Sequence, residues 1–217
     1  MIRAVLLDVD GTLIDSNEAH VAVWVQVFRE AGYDVAADAI RPEIGKGGDI
    51  LVPDLLPDAG EEEQKRLADR HGELFKADCL KRMRPFPRAH DLVEQLHAEG
   101  QKVVIASSAS QEELDHYVEL LDIESLIHAS TTIDDVDTSK PAHDLVSAAL
   151  QKAGVPPEHA IMVGDTRWDI EAAAKAGVAS IAVRSGGSDD AVLSDAVAIY
   201  DNVADLLARY AASPLAR

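Results

Sequence analysis

Two aspartates near the amino terminus have the types and spacing of a cation-binding site. The apolar run at residues 4–7 predicts a strand, and Asp8-Val9-Asp10-Gly11-Thr12 follows it directly. Asp8 and Asp10 would share a face of an ideal strand and repel each other, and a bound Mg²⁺ would relieve that repulsion. Gly11 permits a sharp turn whose backbone N–H groups face an anion. The same residues are also typical of a strand followed by an ordinary polar turn.

Further polar groups follow other predicted strands. Ser107 and Ser108 follow a strand at residues 102–106, Asp165 follows a strand at 160–163, and Asp169 lies one helical turn further on. Lys140 precedes Pro141, which is predicted to be the first residue of a helix ending near residue 153. The carboxyl ends of parallel strands meet at one edge of a sheet, so we expect these groups to converge there.

These groups resemble, in order, the four motifs of the haloacid dehalogenase-like (HAD) phosphohydrolases. Asp8-Val9-Asp10-Gly11-Thr12 is similar to the first motif, Ser107 to the second and Lys140-Pro141 to the third. Gly164-Asp165, with Asp169 four residues later, is similar to the fourth. The resemblance covers nearly the whole chain.

The resemblance implies a role for each matched residue. Asp8 would be the nucleophile, Asp10 the general acid/base and Lys140 the cation that neutralises the nucleophile and the phosphoryl group. Ser107 would contact the phosphate, with Ser108 and Gly11 contributing backbone groups. Mg²⁺ would be bound by Asp8, by the backbone carbonyl of Asp10 and by Asp165, with Asp169 as a further ligand or as the partner of a metal-bound water.

The fold class predicted from the pattern is α/β, a Rossmann-like parallel-sheet HAD core. Residues 16–87 carry only helical patterns, including a long helix at 61–83, and Arg84-Pro85-Phe86-Pro87 ends them. We therefore predict a core at 1–15 and 88–217, with a small all-α cap domain at 16–87 inserted after the first strand. Arg88 stands where the family often has glycine.

Three less specific features have two readings each. Lys46 lies in a glycine-rich loop at residues 44–49 that could cradle a phosphate, or it is a solvated lysine at a turn. His20 matches a histidine often found after the first motif, and a structural hydrogen-bonding role explains it equally well. The acidic loop at 134–137 is predicted to be solvated, or to tune Lys140.

Composition narrows the classes of partner. A chain of 217 residues with 47% hydrophobic content can bury a substantial core, and its formal charge of −19 disfavours nucleic acids and anionic membranes. Cys79 is the single cysteine and is predicted to be buried packing. No apolar run has the roughly 18 residues of a membrane span, and Asp8 comes too early for a signal peptide. We expect a cytoplasmic protein without an obligate protein partner.

The function predicted from these residues is a Mg²⁺-dependent phosphatase that hydrolyses a small phosphomonoester, similar to phosphoglycolate or a sugar phosphate, through an aspartyl-phosphate. One alternative is a phosphosugar mutase resembling β-phosphoglucomutase. Gly164 stands where those mutases tend to carry an acid, and the Gly47-Gly48 loop lacks their arginine. A non-enzyme alternative is a phosphoryl-accepting receiver, which also combines Asp, Ser or Thr, Lys and Mg²⁺.

Overall fold

The chain forms a parallel sheet with helices on both faces. A computed structural model describes residues 1–136 and 138–216; Asp137 of the predicted acidic loop and Arg217 at the end of the predicted core lie outside the described residues. The strands are β1 (Ala4–Leu7), β2 (Lys102–Ala106), β3 (Ala129–Thr131), β4 (Ala160–Gly164), β5 (Ala179–Val183) and β6 (Ala198–Tyr200). Their order is β3-β2-β1-β4-β5-β6, and every adjacent pair is parallel. The predicted α/β class is confirmed.

Nine α-helices accompany the sheet in the described residues. They are α1 (Asn17–Glu30), α2 (Ala37–Ile40), α3 (Gly48–Leu55), α4 (Glu61–Asp78), α5 (Ala89–Ala98), α6 (Gln111–Leu121), α7 (Asp144–Ala153), α8 (Arg167–Lys175) and α9 (Val203–Ala208). None of these helices has the length and apolar content needed to cross a bilayer.

The central strands are buried on both faces, which explains their unbroken apolar sequence. In β1, Val5 and Leu7 belong to one hydrophobic cluster, which includes residues of α5 and α6. Leu6 points the other way and joins a second cluster, which includes residues of α7 and α8. The two-residue period of the strand thus supplies both layers of the core.

The four helices α1 to α4 lie between β1 and α5, as predicted for residues 16–87. The chain enters and leaves this helical segment side by side. The N–H of Asp15 donates to the carbonyl of Arg84 at 2.9 Å, and the N–H of Phe86 donates to the carbonyl of Leu13 at 2.8 Å. These bonds lie within a few residues of the predicted boundaries, while the division into two domains stays a prediction.

Two predicted helix boundaries are wrong, and the backbone conformation of Arg88 explains the preference for glycine at that position. The long helix predicted at 61–83 ends at Asp78, since Cys79 has φ −116° and a separate 3₁₀ turn follows. Pro141 is not the first residue of a helix, because α7 begins three residues later. Arg88 has φ +66°, a left-handed conformation that favours glycine. A residue with a Cβ adopts it at a cost of about 1 kcal/mol.

Candidate active site

Three buried carboxylates meet at the carboxyl edge of the sheet. Asp8, Asp165 and Asp169 each offer an oxygen within 4.8 Å of the others. Asp8 follows β1 and Asp165 follows the adjacent strand β4, whose Val163 is in register with Leu7. Asp169 lies in the first turn of α8, which begins directly after that strand end. The parallel register and the short β4–α8 turn therefore bring together the residues predicted from the first and fourth motifs.

Lys140 lies among these carboxylates and is fully buried. Its ammonium is within hydrogen-bond distance of Asp8 Oδ1 and 2.7 Å from Asp169 Oδ1. Burial alone would lower the pKa of Lys140, but the charges of Asp169 and Asp8 outweigh it and raise that pKa. The structure thus places Lys140 where the third motif predicts it, beside the proposed nucleophile.

The cluster carries more negative charge than its lysine can balance. Burial raises the pKa of Asp8 to about 7 against the opposing effect of Lys140, and the charge of Asp169 adds to the rise. Burial, with the charges of Asp8 and Asp169, also raises the pKa of Asp165 well above its ordinary value. Three buried carboxylates around one ammonium leave a charge that a divalent cation would offset, and carboxylate oxygens suit a hard cation. The residues present therefore fit a metal ion.

Two neutral side chains that the sequence analysis did not select hold this cluster in place. Thr12 Oγ1 lies 3.1 Å from both Asp8 Oδ2 and Asp165 Oδ1, so it donates its single proton to one carboxylate at a time. Asn17 Nδ2 donates to Asp165 Oδ2 at 2.9 Å and to the carbonyl of Gly186 at 3.1 Å. Thr12 belongs to the first motif, whereas nothing in the sequence distinguishes Asn17 from an ordinary residue at a helix start.

Asp10 does not join the carboxylate cluster with its side chain. Ser16 Oγ donates to Asp10 Oδ1 at 2.5 Å, and His20 Nε2 lies 3.2 Å from the same oxygen. Burial acts to raise the pKa of Asp10, but the hydrogen bond and charge of His20 and the hydrogen bond from Ser16 lower it overall. Two carboxylates from one motif are thereby held in different environments, with their pKa values shifted in opposite directions. Without a metal ion both shifts run against the roles that the resemblance implies, because a nucleophile acts ionised and a general acid acts protonated. A cation bound beside Asp8 would lower the pKa of Asp8.

His20 is part of a stack of rings in the helical segment. Its ring stacks on Phe75 at 3.8 Å between centroids, and its Nδ1 lies 3.4 Å from Nε2 of His71. His71 in turn stacks on Trp24 at 4.0 Å. Burial, assisted by His20, lowers the pKa of His71 well below 6.5. His20 therefore contacts Asp10, and its contact with substrate stays a prediction.

The predicted phosphate-binding residues have unequal geometric support. Ser107 is buried at the end of β2, where its hydroxyl accepts a hydrogen bond from the N–H of Ala109 at 3.1 Å. Ser108 lines the cavity described below and donates to the carbonyl of Gly45 at 3.3 Å. The N–H of Gly11 is engaged by the carbonyl of Ile14 at 2.8 Å, which leaves its predicted anion contact without support.

Close packing gives the glycine of the first motif a different explanation. Gly11 has φ +76°, and a Cβ there would lie 2.2 Å from Asp165 Oδ2. A larger residue would therefore displace the carboxylate cluster, whatever the role of the Gly11 N–H.

A cavity of about 790 Å³ separates the strand ends from the helical segment. Five of the predicted site residues line this cavity: Asp8, Asp10, His20, Lys46 and Ser108. Lys46 does not extend freely into this space. Its ammonium pairs with Glu43 and Asp54 and lies 3.9 Å from the centre of the Trp168 ring. Contact between Lys46 and substrate stays a prediction, but neither of its two sequence readings anticipated this buried pairing.

The family follows from comparison with known proteins. Residues 5–183 match the model of the haloacid dehalogenase-like hydrolases. The chain belongs to this family of hydrolases, and the predicted resemblance is confirmed.

Its relatives include phosphatases of more than one kind. The chain is 30% identical to the pyrophosphatase PpaX of Oceanobacillus iheyensis over 84% of this chain and 83% of that protein. It is 29% identical to the phosphoglycolate phosphatase of Salmonella paratyphi A, over 95% and 91% of the two chains. The crystal structure of a hydrolase from Pseudomonas syringae superposes with a TM-score of 0.90 at 28% identity, covering 96% of this chain and 97% of that one.

Proposed function

We propose that this hydrolase is a Mg²⁺-dependent phosphatase that cleaves a small phosphomonoester through an aspartyl-phosphate on Asp8. The observation that carries the proposal is the position of Asp8. Asp8 lines a cavity large enough for a metabolite, and the ammonium of Lys140 contacts one of its carboxylate oxygens. It also forms a carboxylate cluster with Asp165 and Asp169. The similarity to named phosphatases supports the same reaction class.

The first chemical step uses Asp8 and Asp10 in separate roles. An Asp8 oxygen forms a bond to phosphorus while the bond from phosphorus to the ester oxygen breaks. Asp10 gives a proton to the departing alkoxide, and Lys140 offsets the negative charge that the transferring group brings into the site. Mg²⁺, held by Asp8, Asp165 and Asp169, would supply Lewis-acid stabilisation of charge on the phosphoryl oxygens.

The second step restores the protein. Asp10 takes a proton from water, the water oxygen attacks the phosphorus of the aspartyl-phosphate, and the bond to Asp8 breaks to release inorganic phosphate. In this proposal residues 16–87 act as the cap, since residues of α4 and of the loop at 44–49 line the cavity. A closed cap would limit the access of bulk water to the site. The hydrogen bond between Asp10 and His20 links this acid/base to the proposed cap.

A phosphatase fits Gly164 better than a mutase does. A Cβ at Gly164 would lie 2.4 Å from Cγ of Asp169, so the acidic residue expected at this position in the mutases would collide with Asp169. Membership of a hydrolase family disfavours the receiver alternative.

The experiment is hydrolysis of p-nitrophenyl phosphate by wild type and Asp8→Asn, with Mg²⁺ and with a chelator. We expect Mg²⁺-dependent turnover by wild type and none by Asp8→Asn. The exposed Asp58→Asn variant serves as the matched control and should keep wild-type activity. Near-wild-type turnover by Asp8→Asn would refute the nucleophile assignment.

A further inference from the structure

The wall of the cavity contributed by the helical segment carries three lysines, and each is already paired. Lys46 is held by Glu43 and Asp54. Lys65 lies 2.7 Å from Asp69, and Lys76 lies 2.8 Å from Glu112. A second anionic group on a substrate would therefore compete with a carboxylate of the protein for every lysine that lines this cavity in the described part of the chain.

Carboxylates face the same space. Asp49 accepts a hydrogen bond from the N–H of Ser139 at 3.0 Å, and Glu113 accepts from the N–H and the hydroxyl of Ser110 at 2.9 and 2.7 Å. Glu61 is exposed at the rim. Across residues 1–136 and 138–216, none of these three carboxylates forms an ion pair within 4.0 Å with a lysine or arginine, although the charge of Glu113 acts on Lys76 from a longer distance. The wall is thus electronegative, with oxygen acceptors that suit hydroxyl or ammonium donors.

We propose that the substrate is a phosphomonoester whose alcohol part carries no negative charge, so that the phosphate is its single anionic group. This proposal rests on the proposed phosphatase function and concerns the substrate class of the same site. A carboxylate or second phosphate would lose its hydration next to Asp49 or Glu113 without gaining an unpaired cation, whereas a hydroxyl group gains acceptors. The chain would therefore differ in substrate from relatives named for phosphoglycolate and pyrophosphate.

Three esters of equal length test the proposal. Each ester has two carbons. Phosphoglycolate ends in an anionic carboxylate, 2-hydroxyethyl phosphate in a neutral hydroxyl and phosphoethanolamine in a cationic ammonium. We expect kcat/KM for the neutral ester to exceed that for phosphoglycolate by at least about tenfold, or about 1.4 kcal/mol. The cationic ester shows whether the wall also favours positive charge. A preference for phosphoglycolate, or for pyrophosphate run alongside, overturns the proposal while leaving the phosphatase function intact. If p-nitrophenyl phosphate is not hydrolysed either, the proposed function fails and this inference falls with it.

Gly72 offers a direct test of the wall charge. It lies within α4 and lines the cavity, and a Cβ there would meet nothing within 4 Å. Gly72→Lys adds a cation, and Gly72→Gln adds a neutral chain of similar length. Both should fold, since each replaces glycine inside a helix by a better helix former.

For Gly72→Lys we expect the ratio of kcat/KM for phosphoglycolate over that for 2-hydroxyethyl phosphate to rise at least about fivefold, and the rise to shrink in about 0.5 M salt. For Gly72→Gln the ratio should stay within about twofold of wild type. Equal ratios in the two variants, with both melting cooperatively, would overturn the electrostatic argument.

Discussion

Replacing Asp8 by asparagine should stabilise the protein in the absence of divalent cations, although it removes the proposed nucleophile. Asp8 is 6% exposed and shares its surroundings with Asp169 and Asp165. Burial raises its pKa to about 7, against the opposing effect of Lys140. Ionised Asp8 is therefore a net cost to the folded state near neutral pH, and asparagine keeps the shape of the side chain without the charge.

The magnitude follows from the size of the pKa shift. Because the pKa of Asp8 is higher in the folded protein than its ordinary 3.8, the associated stability is fully present below about 3.8 and is lost as the pH rises through about 7. A rise of about three pKa units corresponds to about 4 kcal/mol. Since asparagine does not ionise, we expect Asp8→Asn to exceed wild type by up to about 4 kcal/mol above pH 7, or about 10 °C in Tm for a chain of this size.

The assay is urea unfolding in the presence of a chelator, followed by circular dichroism at about pH 5 and about pH 8. The gain in unfolding free energy should be large at the higher pH and less than half as large at the lower one, where Asp8 is ionised only in the unfolded chain. Asp58→Asn should show neither effect. Added Mg²⁺ should narrow the difference, because a bound cation relieves the same repulsion in wild type. An Asp8→Asn variant that is less stable than wild type at about pH 8, or a gain that does not shrink at about pH 5, would refute the reasoning.

The remaining predictions concern the acid/base, the ring stack and the metal cluster. Asp10→Asn should lower kcat for alkyl esters by at least about 10²-fold. The loss for p-nitrophenyl phosphate should be smaller, because nitrophenolate departs without a proton. An equal loss of kcat for both kinds of ester would contradict the acid role of Asp10. Because burial depresses the pKa of His71, its contribution to stability is present above pH 6.5 and lost as the pH falls below that value, so His71→Asn should flatten the pH dependence of urea unfolding between about pH 7.5 and 5. An unchanged slope would exclude His71 as its source. Gly186→Ala should abolish the rise in Tm on adding Mg²⁺, because its Cβ would lie 1.6 Å from Asp165 Oδ2, whereas Gly60→Ala, with nothing within 4 Å, should keep that rise.

The fold was predictable because its signals are local. An apolar strand that ends in Asp8, and another that ends in Gly164 and Asp165, identify parallel strands buried on both faces. One local turn was not predictable. Arg88 has the left-handed φ that favours glycine, but arginine at this position gives no sequence signal for such a turn.

The partners of the site residues were not predictable, because each polar side chain has several possible partners, some of them only a few residues away. Ser16 looks like a helix cap, yet its hydroxyl bonds to Asp10. Lys46 looks like a phosphate ligand in a glycine-rich loop, yet it is enclosed by two carboxylates and an indole ring. A serine or lysine has several possible partners of equal chemistry, and only the packing of α1 and the following loop against the sheet selects one.

The sequence alone determined the family, the sheet and the identity of the acidic and basic groups at the strand ends, because short motifs and hydrophobic periods are properties of neighbouring residues. The tertiary structure decided how charge is distributed among those groups. It set Asp8 beside Lys140 and Asp10 beside His20, and it paired Lys76 with Glu112. Electrostatic energy depends on distance and burial in three dimensions, which spacing along a chain does not specify.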